Sequence, residues 1–125
     1  MKIANRYEPT GHVAAGGMGE IIQCTDTPLK RPVIIKRLRA GVEERRLVDE
    51  QKALAKLRSK HVVQLYDIVE LNDGGIPEKA IVLEFIEGRN LEIGNLKPDK
   101  QYLKILWQIA CGLSDIHDAG IIHRD

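Results

Sequence analysis

The chain lacks an excess of charge of either sign, since its 125 residues include 19 lysines and arginines and 18 aspartates and glutamates. This balance gives no electrostatic reason to expect a nucleic acid or a membrane surface as a partner. The chain also lacks an apolar run long enough to span a membrane, and Met1 to Arg6 lack the apolar run of a signal peptide. We therefore expect no nucleic-acid partner and no membrane contact from this segment.

Cysteine is scarce, with only Cys24 and Cys111 present. The two residues lack the spacing of metal ligands, and we predict no metal site formed by this chain. In a chain without a secretory signal, such a pair is typical of free thiols in a reducing compartment. We therefore expect a cytoplasmic protein. Its length is that of one domain or part of one, which can bury a core of its own.

Glycine is concentrated in one stretch, where Gly16, Gly17 and Gly19 lie close together. Without a Cβ, their backbone can approach an anion and direct N–H groups at it. A plain hairpin turn is the alternative interpretation of this stretch. Lys36 follows in the apolar run that begins at Val33, where an ammonium group can reach the same anion. Together these residues favour a phosphate-binding loop.

Alternating apolar residues, helical spacing and turn residues predict the elements of secondary structure. The strands are predicted over residues 7–15, 20–25, 33–38, 61–71 and 80–86, and the helices over residues 42–58 and 98–119. The glycine stretch then forms the tip of a hairpin. Residues 27–32 and 72–77 are predicted turns, since proline is excluded from central strand positions. Gly120 is expected to end the second helix.

Glu50 lies in the apolar stripe of the first predicted helix, three residues after Leu47 and four before Leu54. A carboxylate in such a stripe needs a partner. The natural candidate is Lys36, the cation embedded in the strand on which the helix would pack. The alternative is that Glu50 lies at the edge of the stripe and reaches water.

These motifs, with a terminal His123, Arg124 and Asp125, resemble the first part of a protein kinase. The glycine stretch and the residues after the fifth strand are most similar to the serine/threonine kinases of bacteria. The resemblance implies an α+β fold. Residues 1–86 would form the small lobe, a five-stranded antiparallel sheet with one packed helix, ending at the hinge. Residues 87–125 would begin the large lobe with its first long helix.

The resemblance also implies roles for individual residues. Lys36, Glu50 and Asp125 would be catalytic, with Glu50 holding Lys36 against the ATP phosphates and Asp125 accepting the proton of the substrate hydroxyl. Leu83 would be the gatekeeper. The other ATP-binding positions are Ala14, Gly16, Gly17 and Gly19 in the loop, Ile21 and Ile34 against adenine, and the backbone from Glu84 to Ile86 at the hinge.

Several positions depart from the family pattern. Ala14 stands where the first glycine of the loop is usual, and Ile34 where a small alanine is usual. The asparagine and aspartate that hold magnesium in the family would follow Asp125. We therefore expect ATP and Mg²⁺ as cofactors of a complete protein that phosphorylates a protein substrate, and no catalysis by these residues alone.

Two alternatives remain open from the sequence. A pseudokinase or nucleotide-binding scaffold would fit the departures at Ala14 and Ile34. An interaction module would fit the apolar stripe of the second helix, because an exposed stripe over residues 103–117 is expected to find a partner. In that case we expect a homodimer.

Overall fold

The computed structural model describes residues 2–16, 19–38, 44–88, 91 and 99–121. Within these residues the strands and helices follow one another in a simple order. They are β1 (Tyr7–Gly16), β2 (Gly19–Asp26), β3 (Arg31–Arg37), α1 (Glu44–Lys56), β4 (Leu65–Asp73), β5 (Ile76–Glu84) and α2 (Lys100–Asp118).

All five strands belong to one sheet with the order β1-β2-β3-β5-β4, and every neighbouring pair is antiparallel. The hairpin between β4 and β5 turns at Gly74 and Gly75, with φ angles of +69° and +83°. Such positive angles suit glycine and match the twist of the flanking strands. The expected α+β fold, with a five-stranded antiparallel sheet and helices, is confirmed.

The turn predicted over residues 27–32 is too long, because β3 begins at Arg31 and includes Pro32. Pro32 pairs with Thr25 of β2, whereas the pairing of β3 with β5 begins only at Val33. At Pro32 the strand therefore has a neighbour on one side alone. A proline is tolerated there because its missing N–H falls where no ladder bond is needed.

The fourth strand also begins later than predicted, at Leu65 and not at residue 61. The backbone near His61 lies against α2, where the closest atom to a Cβ built on Gly112 would be the His61 carbonyl oxygen at 2.8 Å. The Ser59 hydroxyl and the Asp115 carboxylate of α2 form a hydrogen bond of 2.6 Å. Residues 59–61 therefore lie against the surface of α2, outside the sheet.

One face of the sheet carries the larger hydrophobic cluster, to which every strand contributes. Its buried members are Tyr7, Cys24, Val33, Ile35, Val69, Leu71, Ala80 and Val82. Ile3 and Tyr66 pack against it from outside. The opposite face carries a smaller cluster of Leu38, Leu65 and Ile81, on which Leu54 and Ala55 of α1 pack.

A buried carboxylate lies at the end of β2, where Asp26 is fully buried. It accepts hydrogen bonds from Arg6 and from Arg31, whose guanidinium group lies 3.7 Å from the centre of the Tyr66 ring. The hydrogen bond from Arg6 is the largest cause that lowers the pKa of Asp26. Nearby, burial and the Asp67 carboxylate raise the pKa of Tyr7 to about 12.

Helix α2 has a well-defined start and end. The Asp99 carboxylate accepts hydrogen bonds from the amides of Gln101 and Tyr102, as an N-cap does. At the other end, Gly120 has a φ of +80°, and its amide and that of Ile121 donate to the carbonyls of His117 and Ile116. This is the Schellman arrangement, and it confirms that Gly120 ends the helix.

Three further expectations concern the cysteines, a membrane span and the boundary between the two lobes. Both cysteines are free, with Cys24 buried and Cys111 half-buried. Neither helix of the described ranges is long and apolar enough to cross a membrane. The boundary expected between residues 86 and 87 stays a prediction.

Candidate functional site

The candidate site is a surface on one face of the sheet, where four of the proposed ATP-binding residues lie. Ile21 of β2 is opposite Lys36 of β3, and Ile34 of β3 is opposite Leu83 of β5. Directly paired residues point to the same face, and so do residues two apart along a strand. Ile21, Ile34, Lys36 and Leu83 therefore share a face, and each is half-buried.

The glycine stretch lies at the end of the β1–β2 hairpin, next to this surface. Gly16 pairs with Gly19, and Ala14 pairs with Ile21 within an extended strand. Extended backbone places no demand on Ala14 that only glycine could meet. Lys36 is opposite Ile21, so only about 7 Å of strand separates its position from Gly19. Gly17 lies outside the described residues.

Glu50 is half-buried on α1, but no ion pair joins it to Lys36 among the residues that the structure describes. Helix α1 makes its main contacts in the sheet with β4, and β5 lies between β4 and β3. The same helix packs Leu54 and Ala55 on the cluster that includes Leu38, just after β3, and Ile81 of β5, which is opposite Lys36. Glu50 has contacts of its own, and its pairing with Lys36 stays a prediction.

Leu83, the expected gatekeeper, borders an apolar cavity of about 320 Å³ between α1, α2 and the strands β4 and β5. Glu84 and Ile86 border a second cavity of about 440 Å³, together with Lys60 and residues of α2. Ile86 is 64% exposed, as expected where a chain leaves a sheet. The first residues of the expected hinge thus lie at the end of β5.

The hydrogen bonds of Glu84 restrict how it could hold an adenine. Its amide donates to the Gln64 carbonyl at 2.9 Å, so this amide is already used within the protein, and the contact expected with a ligand falls to the Glu84 carbonyl. Gln64 is not among the residues that the sequence predicts for the site. It belongs to no motif, and its position beside Glu84 depends on the pairing of β4 with β5.

The remaining catalytic candidate, Asp125, lies outside the described residues. In the described ranges no group of three or more histidine, cysteine, aspartate or glutamate side chains is placed to hold a metal ion.

Comparison with known proteins decides the family. The family model for the protein kinase domain matches residues 7–125. The chain belongs to the protein kinase family. The match covers the sheet, both helices and the candidate site, and it confirms the resemblance seen in the sequence.

Bacterial serine/threonine kinases are among the similar proteins. The probable serine/threonine-protein kinase PknB of Corynebacterium glutamicum is 35% identical, over 98% of this chain and 20% of its own length. PknG of Mycobacterium leprae is 33% identical over 98% of this chain and 18% of its own. The pkn2 kinase of Myxococcus xanthus is 35% identical over 96% of this chain and 15% of its own. The chain thus spans about a fifth or less of the length of these relatives.

Proposed function

We propose that the complete protein transfers the γ-phosphoryl group of ATP to a serine or threonine hydroxyl of a protein substrate, and that this chain supplies the part that holds the nucleotide. The observation that carries the proposal is the shared face of Ile21, Ile34, Lys36 and Leu83 beside the Gly16–Gly19 hairpin. The names of the bacterial relatives support the class of reaction.

The surface fits a nucleotide in its chemistry. Ile21 and Ile34 offer apolar surface for a base, and both are half-buried. Lys36 places a cation at the half-buried edge of that surface, where a bound anion is favoured. The adjacent hairpin offers backbone amides to the phosphates. Lys36 would hold the α- and β-phosphates. The Glu84 carbonyl and the backbone of Ile86 would form hydrogen bonds with the edge of the adenine ring.

The roles of magnesium and of proton transfer are included in the proposal because the chain resembles other protein kinases. Asp125 would accept the proton of the substrate hydroxyl as the γ-phosphoryl group is transferred, and Glu50 would orient Lys36. Magnesium, when bound, supplies charge neutralisation between the phosphates. A protein that uses ATP and keeps both thiols free would act in the cytoplasm.

A lysine substitution in the complete protein tests the proposal. Lys36→Met should abolish phosphoryl transfer, because methionine keeps the apolar stem and removes the charge. Lys52→Met on the exposed side of α1 is the matched control and should retain activity. Transfer of phosphate by Lys36→Met at the wild-type rate would overturn the proposal.

A nucleotide-binding scaffold without catalysis is a second candidate, and it rests on Ile34. This side chain is half-buried on the nucleotide face opposite Leu83, where it narrows the space for adenine. Under this alternative the complete protein would bind ATP and transfer no phosphate. Ile34→Ala should tighten ATP binding under either function, and measurement of phosphoryl transfer separates them.

The exposed face of α2 supports a third candidate, self-association through residues 103–117. Its large apolar side chains are between 39% and 65% exposed, namely those of Leu103, Leu106, Trp107, Ile109 and Leu113. A second copy of the chain would bury this face. Light scattering should then give the mass of a dimer for the 125-residue chain and that of a monomer for Leu106→Glu. A wild-type monomer would exclude this surface as a dimer interface.

A further inference from the structure

The Glu84 side chain takes part in the sheet in an unusual way. The Gln64 amide donates to Glu84 Oε1 at 2.8 Å, and the Glu84 amide donates to the Gln64 carbonyl at 2.9 Å. These two bonds extend the ladder by one step beyond Leu65 and Leu83, the pair at the end of β4 and β5.

In a regular hydrogen-bonded pair of an antiparallel sheet, each residue donates its amide to the backbone carbonyl of the other. Here one of those two carbonyls is replaced by a carboxylate. The Gln64 amide is bound by the side chain of Glu84 and not by its carbonyl. A carbonyl oxygen can accept two hydrogen bonds, so the acceptor position that this amide would fill is left for a donor on a ligand, where the sheet ends.

The side chain of Gln64 is positioned by contacts of its own with two backbone carbonyls. Its Nε2 donates to the Leu65 carbonyl at 2.9 Å and lies 3.4 Å from the Ala55 carbonyl in the last turn of α1. Carbonyls in the last turn of a helix lack intrahelical partners. Glu84 is therefore connected through Gln64 to the end of α1.

We propose that the Glu84 carboxylate is a positioning group for the nucleotide, which binds the Gln64 amide and so leaves the Glu84 carbonyl to accept a hydrogen bond from the amino group of adenine. This inference rests on the proposed function, since it explains how the Glu84 carbonyl is left to bind adenine at that site. The carboxylate acts through Gln64 and does not touch the nucleotide.

Two substitutions at position 84, compared in the complete protein, test the proposal. Glu84→Ala removes the acceptor, and Glu84→Gln keeps an oxygen at the same place. Glu70→Ala, at an exposed position of β4, is the control for loss of a strand glutamate. The probes are MgATP and inorganic tripolyphosphate, which shares the phosphates and lacks adenine. The exchange rate of the Gln64 amide, measured by NMR, reports the hydrogen bond without any ligand.

We expect Glu84→Ala to speed exchange of the Gln64 amide and to weaken MgATP binding roughly threefold to tenfold, the usual effect of one hydrogen bond. Tripolyphosphate binding should not change. Glu84→Gln should recover most of both losses, and Glu70→Ala should resemble the wild type.

The outcomes separate this inference from the proposed function. If the wild type binds MgATP and Glu84→Ala binds it equally well, the positioning role is wrong and the proposed function stands. Equal weakening of MgATP and tripolyphosphate would also overturn the positioning role, because the damage would be general. A wild type that binds neither probe in the complete protein would overturn the proposed function and this inference together.

Discussion

Arg6 donates two hydrogen bonds to the buried carboxylate of Asp26, from Nε to Oδ1 at 2.7 Å and from Nη2 to Oδ2 at 2.9 Å. Arg31 adds a third bond of 3.2 Å from the start of β3. The carboxylate thus joins the segment before β1 to the ends of β2 and β3. It lies at the end of the β2–β3 pairing, away from Ile21 and the glycine hairpin.

Substitution of Asp26 by asparagine should destabilise the fold. Asparagine keeps the size of the side chain but replaces charge-assisted hydrogen bonds with weaker ones, and it can present only one oxygen to the two arginines. We expect a loss of about 1–3 kcal/mol in the free energy of unfolding. Urea unfolding at pH 7 measures it. Asp49→Asn, on the exposed side of α1, is the control and should change stability little.

The same carboxylate should make stability depend on acid pH. The pKa of Asp26 is lowered in the folded protein from its ordinary value of 3.8. Above that value both states are ionised and the stabilisation is fully present. As the pH falls further, the unfolded chain takes up a proton before the folded chain does, and the free energy of unfolding decreases.

Unfolding curves between pH 7 and pH 3 check this dependence. Asp26→Asn has no carboxyl group to titrate at this position, so its free energy of unfolding should fall less steeply with acid than that of the wild type. Parallel curves for the two proteins would mean that Asp26 has the same pKa in both states.

The two thiols should differ in reactivity. Cys24 is buried in the larger cluster, and burial raises its pKa to about 11. The thiolate is the reactive form, so the folded protein should protect Cys24 at pH 8 while Cys111, half-buried on α2, reacts. A disulfide reagent should therefore titrate one thiol in the native protein and both after denaturation. The variants Cys24→Ser and Cys111→Ser identify which thiol reacts.

Cys24 should also reduce stability at alkaline pH. Between its ordinary value of 9.0 and about 11, the unfolded chain loses the thiol proton and the folded chain keeps it. The stabilisation is complete below this window and is lost as the pH rises through it. For the reactivity of the two thiols, equal reaction rates of Cys24 and Cys111 in the native state would show that the fold does not protect Cys24.

Much of the fold could be predicted because the signals are local. Alternating apolar residues and turn glycines predicted the strands, and Gly120 marked the end of α2 because its φ of +80° suits glycine. These features depend on residues close together in the sequence. The grouping of Ile21, Ile34 and Lys36 came from the resemblance to protein kinases, and the pairing of β2 with β3 places them on one face.

The features that were missed depend on contacts between distant residues. The start of β4 at Leu65 is set by the approach of α2 to residue 61 and by the bond between Gln64 and Glu84. The burial of Asp26 depends on two arginines from other segments. No periodic pattern encodes any of these distances.

Gly112 offers the sharpest test of the contact between α2 and residues 59–61. In an isolated helix Gly→Ala stabilises by about 1 kcal/mol, because alanine has the higher helix propensity. Here the added Cβ would lie 2.8 Å from the His61 carbonyl oxygen, which is backbone and cannot rotate away. We therefore expect Gly112→Ala to lower the free energy of unfolding by about 1–2 kcal/mol, as overpacking does.

The fluorescence of the single tryptophan can report the local effect of Gly112→Ala on the contact between α2 and His61. The Trp107 ring contacts the His61 ring edge-on, with centroids 5.8 Å apart. If Gly112→Ala pushes the helix from the loop, the Trp107 emission should change in the native protein before any unfolding. Ser114→Ala, at an exposed position of α2, is the control and should leave the emission unchanged. A Gly112→Ala protein that is more stable than the wild type, with the same emission, would show that α2 does not rest on His61.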